Sequence, residues 1–174
     1  MQRVNVIGIS GSGKSFVADR VGAALGLPVV RLDALRHGPN WTEVPAALFA
    51  ERVAAEAAQE SWVMDGSYAL VRSLIWPRAD TIIWTDLDRA AVMRQVIWRS
   101  LRDWATRREI VPGSRERLRN FIEPWHPIRW AWRQHARKRE SERQSLEDAA
   151  WAHLDIHHLR SRREIDDFLA GLVP

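Results

Sequence analysis

Short apolar runs alternate with amphipathic ones along most of the chain. Val4, Val6 and Ile7 predict a buried strand, and Phe16, Val17, Val21, Ala24 and Leu25 recur at helical spacing up to Gly26. Pro28 leads into Val29-Val30-Arg31-Leu32, read as a second strand closed by Asp33. Gly38, Pro39, Asn40 and Pro45 then punctuate a loop. Leu48, Phe49, Val53 and Ala57 predict a helix over 46–60, and Trp62-Val63-Met64 a third strand ending in Asp65-Gly66. A short helix is expected around 68–75, and Thr81-Ile82-Ile83-Trp84-Thr85 is a fourth strand ended by Asp86. Asp88 can cap a long helix with Met93, Ile97, Leu101 and Trp104 as its apolar stripe and Gln95, Arg99 and Arg102 on its other face. Pro112-Gly113-Ser114 breaks that pattern, and helical segments resume over 115–145, interrupted by Pro124 and Pro127. The stretch from His153 to His158 reads as a last strand. Ser161-Arg162-Arg163-Glu164 fits a capping box that opens a final helix through Leu172.

Strands separated by helical patterns imply βαβ units, hence a three-layer α/β/α fold with a five-stranded parallel sheet, expected as one domain over 1–174. Ligands of such sheets gather at the carboxyl ends of the strands. Gly8, Asp33, Asp65 and Asp86 all fall at that edge.

Between the first strand and the first helix, residues 8–15 spell Gly-Ile-Ser-Gly-Ser-Gly-Lys-Ser, the Gly-x4-Gly-Lys-Ser pattern (Walker A) of a P-loop. A loop that wraps phosphates points successive backbone N–H groups inward, and Gly8, Gly11 and Gly13 supply the backbone freedom this requires. The N-terminus of the following helix favours anions at the same place. Lys14 is the residue to reach the β- and γ-phosphates of a nucleoside triphosphate, and Ser15 the Mg²⁺ ligand. The carboxylate that holds the ion's water shell is Asp65 by first choice, with Asp86 as the rival.

Composition narrows the setting. The chain of 174 residues is 46% hydrophobic and 28% charged, as soluble globular proteins are, and it has no cysteine, which excludes disulfides and cysteine-ligated metal. The first strand begins near residue 3, no apolar run approaches a membrane span of roughly 18 residues, and a cytoplasmic, non-membrane protein is expected. His126, His135, His153, His157 and His158 lack metal-ligand spacing with nearby carboxylates, so no structural metal is assigned. The net charge of +4 is unevenly placed: residues 89–143 hold 14 arginines and Lys138 against six acids, a local charge of +9. Arg129, Arg133 and Arg137 recur every four residues, which makes nucleic acid the alternative partner. No helix-turn-helix, RRM or zinc pattern accompanies them. Of the ten tryptophans, Trp98, Trp104, Trp125, Trp130, Trp132 and Trp151 lie in or just beyond this basic half, where core filling is the ordinary role and base stacking the alternative.

The arrangement resembles the topology modulation proteins, P-loop kinase-like relatives of adenylate and shikimate kinases. The residues that carry the resemblance are the P-loop, Leu32-Asp33-Ala34-Leu35, Trp41 with Pro45 and Phe49, Trp62 to Tyr68, Ala79 to Trp84, and Arg160 to Glu164. The family's Asp-Gly-Asn-Tyr is here Asp65-Gly66-Ser67-Tyr68. The resemblance implies a nucleoside-monophosphate-kinase-like sheet with a helical, arginine-rich lid at about 99–127, for which Arg99, Arg102, Arg107 and Arg108 are the candidates. It also implies an acceptor-orienting carboxylate at Asp33, with Arg36, Arg72 and Arg78 flanking that side. Ser10, Ser12, Phe16 and Arg162 complete the expected nucleotide-binding set. The function so implied is ATP- and Mg²⁺-dependent phosphoryl transfer to an unidentified small acceptor, by a monomer or homodimer. The alternative is a nucleic-acid-associated NTPase that modulates DNA topology or gene expression. A GTPase is disfavoured, since no Asn-Lys-x-Asp motif occurs.

Overall fold

The computed structural model describes residues 1–38, 42–106, 109–111, 114–115 and 127–172. Along the chain the strands are β1 (Arg3–Gly8), β2 (Val29–Arg31), β3 (Trp62–Asp65), β4 (Thr81–Thr85), β5 (Glu109–Val111), β6 (Ser114–Arg115) and β7 (Asp155–Leu159). The helices are α1 (Lys14–Leu25), α2 (Leu32–Arg36), α3 (Ala46–Ala57), α4 (Arg72–Ile75), α5 (Arg89–Ala105), α6 (Pro127–Leu146) and α7 (Arg162–Ala170). Five strands form one parallel sheet in the order β2-β3-β1-β4-β7. Between β3 and β4 the chain passes from one side of β1 to the other, so the sheet's switch point lies at the carboxyl end of β1, where the P-loop begins.

Side chains alternate across each central strand and divide the core in two. Val4, Val6, Val63 and Ile83 face Val17, Ala18 and Val21 of α1, Val92 and Val96 of α5 and Ile165 of α7. Ile7, Trp62, Met64, Ile82 and Trp84 meet Phe49, Val53 and Ala57 of α3 and Ile75 of α4. Both faces are thus covered, which is why β1, β3 and β4 read as nearly unbroken apolar runs. The exception is Asn5, buried with every polar group of its side chain satisfied. Its amide donates to the carbonyls of Met64 (3.0 Å) and Gly66 (3.1 Å), and Trp76 Nε1 donates to its oxygen at 3.0 Å. Asn5 thereby fixes the backbone where β3 ends.

Four local expectations are corrected. Asp33 does not close a strand: β2 stops at Arg31, and Leu32–Arg36, all good helix formers or early-turn acids, fold as α2 with Asp33 in its first turn. The inward face of α5 is Val92, Val96 and Ser100, one position back from the expected stripe, and Ile97 and Leu101 are exposed. Where helical segments were expected from 115, Ser114–Arg115 pairs antiparallel with Glu109–Val111. Pro127 does not interrupt a helix but opens α6, at the one helical position where a missing N–H costs nothing. The final helix starts as expected: Ser161 Oγ accepts from Glu164 N at 3.1 Å, and the Glu164 carboxylate accepts from Arg160 N at 2.8 Å. No helix among the described residues is long and apolar enough to cross a membrane.

Candidate functional site

The P-loop leaves β1 and turns into α1 through two residues in the left-handed region, Gly11 at φ 86° and Gly13 at φ 88°. Gly11 also lies directly under α5. A methyl group there would overlap Val96 Cγ2 and come within 3.3 Å of the Val92 carbonyl. The loop is braced from beneath as well. Thr85 Oγ1, at the end of β4, donates to the Ile7 carbonyl (3.1 Å) and pairs with Ser12 Oγ at 2.7 Å. The Ser12 side chain is therefore buried in the loop's own scaffold, whereas Ser10 Oγ meets Arg99 Nη2 at 3.4 Å. Lys14 and Ser15, at the start of α1, are half-buried and have no hydrogen-bond or ion-pair partner among the described residues.

Helix α5 carries Arg99 to the loop because its buried face docks there. Val92 and Val96 press on Gly11, and Gln95 lies 4.0 Å from the Cβ position of Gly13. Arg102 is exposed one turn further along. Arg107 and Arg108 lie outside the described residues, as do Trp41 and Trp125.

The two rival carboxylates have different surroundings. Asp65 ends β3 opposite Val6 and is only 5% exposed. Its Oδ2 accepts from Arg31 Nη1 at 2.8 Å, while Oδ1 is buried without any partner. Such an oxygen is costly unless something donates to it. Asp86 lies between two basic side chains: Arg139 Nε is 2.9 Å from each of its oxygens and His158 Nε2 is 2.8 Å from Oδ2, with the His158 ring stacked on Trp84 at 4.0 Å. A hydrated divalent cation would fit beside Asp65, whose Oδ1 has no partner, better than beside Asp86, whose two oxygens both lie 2.9 Å from Arg139 Nε.

On the other flank Asp33 Oδ1 accepts from Tyr68 Oη at 2.6 Å. Burial raises the Tyr68 pKa, and the bond to the Asp33 carboxylate raises it further, so this hydroxyl stays a donor. Tyr68 packs edge-on against Phe49 at 5.2 Å, and Arg36 lies 5.5 Å over that ring. The three flanking arginines all have protein partners. Arg36 binds Glu43 and the Val44 carbonyl, Arg78 binds the Ala58 carbonyl, and Arg72 pairs with Glu142 at 3.0 Å. Glu142, 1% exposed, also meets Lys138 at 2.8 Å and the Ser67 hydroxyl. This buried cluster ties α6 to the Asp-Gly-Ser-Tyr turn, and because Glu142 lies 70 residues from Arg72 and 75 from Ser67 in the chain, no local pattern announces it. At the opposite end, Arg162 stacks on Phe16 at 4.6 Å, forming an exposed planar surface beside α1. Elsewhere in the basic half, Arg133 and Arg137 are exposed on α6, Trp98 is 69% exposed, and Trp132 lies under the Arg89 guanidinium at 5.1 Å.

No protein-family model matches the chain, and no curated protein sequence matches it. Solved structures do. Shikimate kinase from Acinetobacter baumannii in complex with shikimate superimposes with a TM-score of 0.60 at 11% identity, covering 99% of this chain and 90% of that one. The fold is the α/β fold of that structure. Shikimate kinase from Aquifex aeolicus gives a TM-score of 0.54 at 13% identity, over 98% of this chain and 95% of the other. A gluconokinase from Sinorhizobium meliloti gives 0.51 at 17% identity, over 99% and 93%. The superpositions run nearly end to end in both chains.

Proposed function

We propose that the protein is an ATP- and Mg²⁺-dependent phosphotransferase that moves the γ-phosphoryl group to a hydroxyl of a small acceptor. The observation that carries this reading is the grouping at one sheet edge of three parts: an anion-binding loop with Lys14 unpartnered among the described residues, a buried carboxylate with one open oxygen, and Asp33 with Tyr68 on the far side.

Phosphoryl transfer asks chiefly for positioning and charge stabilisation. The backbone amides from Gly8 to Ser15 cradle the phosphates, and Lys14 neutralises charge developing on the β–γ bridge. Phe16 and Arg162 offer their stacked faces to the base. The Ser15 hydroxyl would ligate Mg²⁺ and Asp65 would hold its water shell, the ion supplying charge that offsets the phosphates. Arg99, already against Ser10, swings from that weak hydrogen bond to a phosphoryl oxygen, and Arg102 and Arg107 add cations from the same span. Asp33 accepts the proton as the acceptor oxygen attacks the γ-phosphorus and the bond to the β-bridging oxygen breaks. Tyr68 holds the Asp33 carboxylate in place meanwhile. The residues from Leu32 to Leu35 and from Trp62 to Tyr68 further support kinship with the topology modulation proteins.

The test is Lys14→Ala in the full chain. Nucleotide turnover is lost while the circular dichroism spectrum and unfolding midpoint are retained; full activity in that variant refutes the site. The acceptor is found by thermal stabilisation against nucleotide and metabolite panels, since a ligand at a hundred times its Kd adds about 2.7 kcal/mol. A nucleotide turnover that responds to DNA and to no metabolite would overturn the acceptor half of the proposal.

A further inference from the structure

Asp65 is gripped from one side only, and the residue that grips it is itself held. Arg31 lies opposite Asp65 in the β2–β3 register and donates Nη1 to Asp65 Oδ2 at 2.8 Å. Its Nη2 donates to both oxygens of Asp19, at 2.7 and 2.8 Å. Asp19 lies on α1 four residues after Ser15, so the two share a helix face. Arg31 thus forms a strut from the end of β3 to α1, and its two ends meet the elements that carry the two residues assigned to the cation. Among the described residues, no other cation contacts Asp65.

We propose that Arg31 is a positioning residue for the divalent cation, clamping Asp65 by one oxygen so that the other, Oδ1, is the one presented to the cation's water shell. The proposal rests on the phosphotransferase reading and extends it. A carboxylate as buried as Asp65 is stable in ionised form only beside a countercharge, yet a countercharge on both oxygens would leave none for the cation. Arg31 meets both requirements because its fork spends one arm on Asp65 and the other on Asp19. A lysine in its place has a single ammonium and no fork, so it would not hold both carboxylates in a fixed geometry. Asp19 neutralises the remaining charge and anchors the strut to the helix that carries Ser15. The strut therefore sets the distance between α1 and the end of β3, across which the ion must be shared. Residues that orient the immediate surroundings of a metal typically change its affinity 10- to 100-fold when removed, and a loss at the lower end is expected for a contact through water.

The experiment measures ADP binding to the full chain by titration calorimetry, with excess Mg²⁺ and again with EDTA. The ratio of the two dissociation constants isolates the cation's share without requiring turnover. Arg31→Met is expected to lower that ratio about tenfold while ADP affinity in EDTA moves much less, and Asp65→Asn to lower it comparably. Arg31→Lys, which keeps the charge but not the fork, recovers only part of the loss. Mn²⁺ binding to the ADP complex, followed by electron paramagnetic resonance, should weaken in the same order. If Asp65→Asn lowers the ratio and Arg31→Met does not, the strut is merely structural and the proposal fails while the site assignment stands. If Asp65→Asn leaves the ratio unchanged, the assignment of Asp65 fails first. Should Arg31→Met not fold, Arg31→Lys decides: a wild-type ratio in that variant overturns the proposal.

Discussion

Replacing Gly11 by alanine tests whether α5 and the P-loop are packed as one body. Two costs are separable. The first is backbone: at φ 86° a residue with a Cβ loses about 1–2 kcal/mol relative to glycine. The second is steric, because the new methyl overlaps Val96 Cγ2 and approaches the Val92 carbonyl to 3.3 Å. Overpacking of this kind costs about 1–3 kcal/mol. Gly11→Ala is therefore expected to destabilise by about 2–5 kcal/mol in urea unfolding. Val96→Ala alone removes two buried methyl groups and costs about 2 kcal/mol, but it also vacates the space the new methyl needs. In the double variant the steric part disappears, leaving a favourable coupling energy of about 1–3 kcal/mol, with nucleotide affinity partly restored. If the two substitutions add without coupling, α5 does not press on the loop, and the account of how Arg99 reaches Ser10 falls with it.

Two further outcomes are expected. Glu142→Ala leaves Arg72 and Lys138 without their shared carboxylate, and removing one member of a buried ion cluster costs about 3–5 kcal/mol, read by urea unfolding; a loss under 1 kcal/mol would show the cluster to be solvated. For Asp80, burial tends to raise the pKa, but hydrogen bonds from Thr81 Oγ1, Arg3 N and Gln2 N outweigh it and hold the carboxyl below its usual value. Its contribution to stability is therefore complete above the unfolded-state pKa and lost as pH falls through the lower folded value. Asp80→Asn should be less stable than the parent at neutral pH, with the difference starting to shrink at about pH 4 and vanishing only as pH falls through the lower folded value, checked by thermal unfolding across that range.

Much of this fold could be read from the chain because its strongest signals are local. Glycines before Lys14 announce a loop, and Thr81 to Thr85 announces a strand buried on both faces. Signals that depend on partners were less legible. The stripes Val92-Val96-Ser100 and Met93-Ile97-Leu101 are one residue apart, and hydrophobicity favours the second because Ser100 is polar. What turns the first inward is the glycine surface beneath it, a tertiary fact. Asp33 looked like the end of a strand because an acid after Val29 to Leu32 suits a turn, yet Leu32 is recruited by Phe49 and Met64 into the core and begins a helix. The partners of Asp65 and Asp86 were illegible for the same reason: Arg31 and His158 reach them only through the register of β2 with β3 and of β4 with β7.

The bond between Thr85 and Ser12 has an energetic corollary. A receptor moulded before its guest arrives does not have to spend association energy on ordering itself, so the affinity it achieves reflects direct contacts with little deduction. Because the brace comes from a neighbouring strand, the tightness with which the loop would hold the proposed triphosphate depends in part on a hydroxyl that never meets it. Natural variation at position 85 should accordingly be confined to serine and threonine wherever that grip is under selection.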